Sequence, residues 1–84
     1  MPQPARVILY SKPGCHLCDV MKAEIATADC ADLYTLEEVN IEDSETLLAR
    51  YRFDIPVLAI NGVEAFRHRL KAEEFRAYLA QLSS

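Results

Sequence analysis

The stretch Tyr10-Ser11-Lys12-Pro13-Gly14-Cys15-His16-Leu17-Cys18 joins a short apolar run to a segment of helical periodicity. Its two cysteines lie two residues apart at a strand-to-helix junction near the start of a small chain, a placement that reads as a redox dithiol. On this reading Cys15 occupies the first turn of the helix, where unpaired backbone N–H groups and the positive end of the macrodipole favour a thiolate. Cys18 follows one turn later, within reach of a mixed disulfide formed on Cys15. A thiol with an ordinary pKa of ~8.5 is only slightly ionised at neutral pH. The helix terminus and Lys12 therefore have a kinetic purpose beside Cys15, while His16, if charged, favours the thiolate and the dithiol state and, if neutral, is a polar spacer.

Ahead of this junction, Val7-Ile8-Leu9-Tyr10 is a continuous apolar run, which suits a strand buried on both faces over Ala5 to Ser11. Lys12-Pro13-Gly14 breaks it. From about Cys15 to Asp29, Leu17, Val20, Met21, Ile25 and Ala28 recur at three- and four-residue spacing and predict a helix with one apolar stripe. Asp29-Cys30-Ala31-Asp32 reads as its frayed end. Tyr34 to Ile41 reads as a second strand, with the alternation slipping at Glu37-Glu38. Ser44 or Asp43 caps a short helix holding Leu47, Leu48 and Tyr51, which finishes before Pro56.

Pro56 to Ile60, then Asn61-Gly62, then Val63 to Arg67 forms a hairpin, since Asn-Gly suits a type I′ turn in which both central residues need positive φ. A last amphipathic stripe of Ala72, Phe75, Tyr78, Leu79 and Leu82 predicts a helix from about Lys71 to Leu82. The order is therefore β-α-β-α-β-β-α. Strands joined through a helix pair in parallel with a right-handed crossover, while the Asn61-Gly62 turn makes the last pair antiparallel. The expectation is one α/β domain over residues 1–84, with a four-stranded mixed sheet and three helices in a three-layer α/β/α sandwich.

Composition bounds the function. With 84 residues the chain buries only about 60% of the surface that its unfolded form exposes. Hydrophobic residues make up 51% and charged residues 26%, an ordinary globular balance. A formal net charge of -4 argues against nucleic-acid and membrane-surface partners, both of which favour concentrated positive charge. No segment approaches the ~20 apolar residues of a membrane span, and Met1-Pro2-Gln3-Pro4 is not a basic region leading into a long apolar run. A cytoplasmic setting and a monomer are expected. Three cysteines are an odd number, which in a reducing compartment favours free thiols or a catalytic pair over a structural framework. Cys30 reads as a thiol at the edge of the core. Zinc needs four ligands, and no second Cys-x-x-Cys or His-x-x-x-His accompanies the first, so no metal site is expected.

The element order, with Cys15-His16-Leu17-Cys18 at the first junction and Ile55-Pro56-Val57 opening the third strand, resembles the thioredoxin-fold glutaredoxins. The likeness covers nearly the whole chain and is greatest to small bacterial glutaredoxin-like proteins whose motif reads Cys-His-Leu-Cys. It implies a thioredoxin/glutaredoxin-like fold in which Cys15 is the exposed nucleophile, Cys18 the more buried resolving thiol, and Pro56 a cis-proline facing the pair. It also implies that the backbone at Ile55 pairs with an extended substrate, a form of β-augmentation. The activity implied is thiol-disulfide oxidoreduction of protein or low-molecular-weight disulfides. No metal or organic cofactor is required, and an external thiol or reductase serves as electron donor.

The pattern departs at one place. Glutathione-using glutaredoxins carry a Gly-Gly pair and an acidic residue after the hairpin, whereas this chain reads Glu64-Ala65-Phe66-Arg67-His68-Arg69-Leu70. Glutathione stays open as a co-substrate, with Lys12, Arg67 and Arg69 able to attract carboxylates. The cluster Arg50, Arg52, Arg67, His68 and Arg69 reads either as a solvated edge or as a docking surface for an acidic partner. Phe53, Phe66 and Phe75 read as core. An alternative reading is a redox-weak adaptor of the same fold that binds protein through the Ile55-Pro56 edge.

Overall fold

The computed structural model describes residues 3–82. Met1, Pro2, Ser83 and Ser84 of the expected domain lie outside the described residues. Strand β1 spans Ala5–Ser11, helix α1 His16–Thr27, β2 Tyr34–Asn40, α2 Glu45–Tyr51, β3 Val57–Ile60, β4 Val63–Arg67 and α3 Ala72–Leu82. The four strands form one mixed sheet in the order β2-β1-β3-β4. β1 pairs with β2 in parallel and with β3 antiparallel, and β3 pairs with β4 antiparallel. Only the β1-α1-β2 connection therefore gives the expected parallel pair: β2 and β3, joined through α2, are separated by β1 and run in opposite directions.

The Asn61-Gly62 turn has both residues at positive φ, 52° and 84°, as a type I′ hairpin needs. The Asn61 side-chain oxygen also accepts a hydrogen bond from the Arg6 amide at 2.9 Å, which fastens the turn to β1. Ser44 caps α2 through its hydroxyl, which accepts from the Leu47 amide at 3.3 Å.

Alternation along β1 divides the molecule into two cores. Ala5, Val7 and Leu9 face α1 and α3, where they pack with Met21, Ile25, Leu58, Ile60, Phe75 and Leu79. On the opposite face a smaller core joins Ile41, Tyr51 and Val57 to Tyr10, Leu47, Leu48 and Ile55. Each fully buried Leu, Ile or Phe contributes about 1.5–3 kcal/mol, so the larger core dominates stability. This is the expected three-layer α/β/α arrangement.

Four further differences are local. α1 stops at Thr27, and the segment after it is ordered rather than frayed: Asp29 takes a left-handed φ of 53° and Ala31–Leu33 forms a 3-10 turn. Arg76 of α3 donates to the Ala28 carbonyl, which satisfies an orphan acceptor at that helix end. Cys30 is buried as a member of the larger core.

The second difference lies in β2, whose register with β1 is unbroken from Ala5↔Tyr34 to Ser11↔Asn40, and which ends before Ile41. The slip at Glu37-Glu38 is instead a change of face. Tyr34 packs on the larger core, whereas Ile41, in a following 3-10 turn, belongs to the smaller one. Third, Val20 stands 44% and Leu82 47% exposed although their spacing put them in the apolar stripes of α1 and α3. Fourth, Phe53 is 84% exposed and not core, because α2 ends at Tyr51 and leaves it on the following loop. Phe75 is fully buried and Phe66 packs against the larger core, as expected.

Candidate active site

β1 delivers the chain to Lys12-Pro13-Gly14 at one end of the sheet. Gly14 turns at φ 79°, a conformation that L side chains rarely adopt, and Cys15 follows as the N-cap of α1. Cys15 is therefore not in the first turn, as expected, but one residue ahead of it. The consequence is chemical. In the N-cap position its sulfur accepts a hydrogen bond from the Cys18 amide at 3.1 Å, the role that an Asp or Ser oxygen plays at other helix starts.

Cys15 and Cys18 are joined as a disulfide with Cα atoms 5.3 Å apart, inside the usual range for a bridge. Their surroundings differ sharply. Cys15 is partly exposed, whereas Cys18 is 1% exposed beneath it. Lys12 and His16 are both exposed on either side of Cys15 in the chain.

The pairing Tyr10↔Val57 brings the start of β3 to the end of β1, so the Ile55-Pro56 loop lies at the dithiol end of the sheet. The Ile55-Pro56 bond is cis. The Ile55 amide donates to the Tyr51 carbonyl at 3.1 Å, and its side chain packs in the smaller core. Its carbonyl thus remains the group of Ile55 to offer a partner strand. The Pro56 carbonyl accepts from the His68 amide at 2.8 Å, which ties the β4-α3 connection to the same end.

Two cavities flank the dithiol. The larger, about 320 Å³, is lined by Ser11, Lys12, Cys18, Lys22, Glu38 and Asn40, among others. In it the buried Ser11 hydroxyl donates to a Glu38 carboxylate oxygen at 2.8 Å, and the Lys22 ammonium stands 3.2 Å from the same oxygen. The Ser11 hydrogen bond, followed by Lys22, holds Glu38 below the usual carboxylate range. This polar group was missed in the sequence. Its one trace is Glu38 interrupting the apolar alternation of β2.

The smaller cavity, about 220 Å³, lies between α1 and the β4-α3 connection. Leu17, Val20, Met21, His68, Arg69 and Lys71 are among its lining residues.

The basic cluster separates in space. Arg67 pairs with Glu64 at 2.5 Å and with Asp54 at 3.6 Å, and Arg50 pairs with Glu64 at 3.2 Å. Glu64 also accepts from the Tyr51 hydroxyl at 2.6 Å, and burial together with that carboxylate pushes the Tyr51 hydroxyl up to about 12. Arg67, expected as a substrate contact, is thus engaged internally, whereas Arg69 borders the smaller cavity. Arg52 lies over the Phe53 ring at 5.2 Å. Among the described residues, no three His, Cys, Asp or Glu side chains gather in a metal-binding group. Nor is any helix among them long and apolar enough to cross a membrane.

A sheet of this order, a cysteine pair at the start of its first helix and a cis-proline at the adjoining strand define a thioredoxin-fold dithiol protein. The chain belongs to the glutaredoxin-like domain family (DUF836), whose model matches residues 6–80. It is 30% identical over 71 residues to the glutaredoxin-like protein YDR286C homolog of Dictyostelium discoideum, covering 77% of this chain and 66% of that relative's own length.

Among solved structures it is similar to protein Ne2328 of Nitrosomonas europaea, at 29% identity and a TM-score of 0.77, covering 93% of this chain and 94% of that one. The XcR50 protein of X. campestris superposes with a TM-score of 0.76 at 28% identity, over 89% of this chain and 96% of that one. Chloroplastic thioredoxin z, at 13% identity and a TM-score of 0.70 over 96% of this chain and 80% of that one, shares the fold.

Proposed function

We propose that this protein is a thiol-disulfide oxidoreductase that reduces protein or low-molecular-weight disulfides through Cys15 and Cys18. The observation that carries the reading is the asymmetry of the pair, a partly exposed Cys15 at the α1 N-cap above a Cys18 closed to solvent. The Cys15 thiolate attacks a substrate disulfide and forms a mixed disulfide, releasing the first substrate thiolate. Cys18, as thiolate, then attacks the Cys15 sulfur and expels the second. Two electrons pass to the substrate, and the Cys15-Cys18 bond is left for an external thiol or reductase to reduce.

The N-cap amide that meets the Cys15 sulfur stabilises the thiolate both as nucleophile and as leaving group. Lys12 adds positive charge nearby, and the Ile55 carbonyl beside cis-Pro56 holds an extended substrate backbone. No metal or organic cofactor enters these steps. Glutathione, through its disulfide or as the resetting thiol, is one low-molecular-weight partner of this chemistry. The setting implied is the reducing cytoplasm, with the protein acting as a monomer.

The test is a trap. Cys18→Ser is expected to accumulate a stable mixed disulfide on Cys15, and Cys15→Ser none. Alkylation of the reduced protein at pH 7 should modify Cys15 well ahead of free cysteine. A Cys15 no faster than free cysteine, together with a Cys18→Ser protein that traps nothing, rejects the reading.

A further inference from the structure

We infer that the cleft between α1 and the β4-α3 connection recognises a substrate polypeptide, taking an apolar side chain next to the substrate cysteine and pairing with acidic residues flanking it. The inference rests on the proposed oxidoreductase function and names its substrate class. Position is the first argument. The cleft begins at Leu17, between the two cysteines, and its far wall is joined to cis-Pro56 through the His68 amide. A side chain seated there belongs to a residue very near the disulfide under attack.

Chemistry is the second argument. Leu17, Val20 and Met21 give the cleft an apolar lining, and Val20 is 44% exposed on a helix whose Met21, Ile25 and Ala28 are buried in the larger core. Glutathione carries no apolar side chain to cover that surface. A polypeptide does.

Charge is the third. In a chain of net charge -4, His68, Arg69 and Lys71 are exposed at this one rim. Glu24, the acid that also lines the cleft, is engaged by the Ala72 amide at 3.2 Å. Arg50 and Arg67 are neutralised by Glu64 and Asp54, whereas no ion pair holds Arg69 or Lys71 among the described residues. Arg6, Lys12 and Arg52 are exposed outside ion pairs as well, but Arg69 and Lys71 stand together at one cleft, which makes its rim complementary to acidic residues.

The test is single-turnover reduction of four disulfides by the reduced protein. The probes are cystine-linked dimers of Glu-Leu-Cys-Leu-Glu, Lys-Leu-Cys-Leu-Lys and Glu-Ser-Cys-Ser-Glu, and glutathione disulfide. Each is compared between the parent and its variants, so that the intrinsic reactivity of the probe cancels. Arg69→Glu combined with Lys71→Glu is expected to slow the Glu-Leu dimer about tenfold, speed the Lys-Leu dimer, and slow glutathione disulfide, which carries carboxylates but no apolar side chain, clearly less than the Glu-Leu dimer. Val20→Ser, which removes the apolar surface without adding charge, is expected to slow the Glu-Leu dimer and not the Glu-Ser dimer. With the parent alone, raising salt from 0.05 to 0.5 M should erase most of the advantage of the Glu-Leu over the Lys-Leu dimer.

Peptide rates unmoved by charge reversal and by salt overturn the inference, as does a glutathione rate that falls in step with the Glu-Leu dimer. A parent that reduces all four in the order set by dithiothreitol leaves the oxidoreductase standing and removes the cleft. A parent that reduces none removes both.

Discussion

Substituting Ser11 and Glu38 by alanine, singly and together, measures the polar group beside Cys18. Ser11 is 3% exposed, and its hydroxyl donates to Glu38 at 2.8 Å. Glu38 is less confined, for its side chain is 43% exposed and meets Lys22 at 3.2 Å. The two single substitutions are therefore unequal. Ser11→Ala leaves a carboxylate that water and Lys22 still satisfy, and is expected to cost about 1 kcal/mol, the net worth of one hydrogen bond. Glu38→Ala leaves a buried hydroxyl without its acceptor and is expected to cost about 2 kcal/mol, within the range for a stranded polar group. In the double variant the stranded donor is gone, so the loss returns towards about 1 kcal/mol and the cycle shows strong coupling.

Urea unfolding at 25 °C reads each value, and every 1 kcal/mol moves the melting temperature of a domain this size by about 4–8 °C. The dependence on pH follows from Glu38. Its carboxyl is held low in the folded state, first by the Ser11 hydroxyl and then by Lys22. The stabilisation is present above the unfolded carboxyl's ~4.3 and is lost as pH falls through the lower folded value. The Ser11→Ala penalty should therefore shrink below about pH 4. Additive single losses, or a penalty unchanged between pH 3 and 7, would refute the reasoning.

Phe53→Ala should leave the urea midpoint within about 0.5 kcal/mol of the parent, because the ring is 84% exposed, while Phe75→Ala should cost about 3–5 kcal/mol of a total of about 4–13. Equal losses would show that the Phe53 loop packs elsewhere. Tyr51, raised to about 12 by burial and by Glu64, keeps its proton in the folded state after an unfolded tyrosine has lost it near ~10. Stability should thus fall with rising pH from about 10 to about 12, and Tyr51→Phe should flatten that slope. Burial pushes the Cys30 thiol up, so iodoacetamide at pH 8 should label Cys15 in the reduced, folded protein well before Cys30; equal labelling in a mass spectrum contradicts the burial.

The element order was legible because its signals are local: an apolar run, two cysteines, Pro56 and Asn61-Gly62 each act on the backbone within a few residues. What was not legible depends on neighbours distant in sequence. Phe53 reads as core by residue type alone, and only the end of α2 at Tyr51 sets it outside. Val20 fits the helical stripe, yet the helix face it occupies borders a cleft. The basic cluster looked like one surface until Glu64 and Asp54 claimed Arg50 and Arg67 and left Arg69 apart. Nor does spacing distinguish an N-cap cysteine from one in the first turn, because the boundary is set by the backbone after Gly14.

That one-residue distinction bears on the order of the proposed chemistry. A cysteine within the first turn would receive the macrodipole but not the reciprocal amide contact, whereas the N-cap sulfur meets the Cys18 amide directly. The resolving residue thus carries both the amide that steadies the Cys15 sulfur and the sulfur that later attacks it. In the proposed mechanism, burial orders the steps. A substrate disulfide reaches the partly exposed Cys15, while Cys18, at 1% exposure, is open only to groups already attached at that site. Enlarging access to Cys18 should therefore change which thiol forms the first mixed disulfide before it changes the overall rate. Gly14→Ala, strained at φ 79° with no atom near the added methyl, is a perturbation that moves this loop without crowding it. The expected result is that Gly14→Ala combined with Cys15→Ser captures substrate on Cys18, where Cys15→Ser alone captures none; no capture on Cys18 in the combined variant would mean that the α1 N-cap, and not the loop, enforces the order.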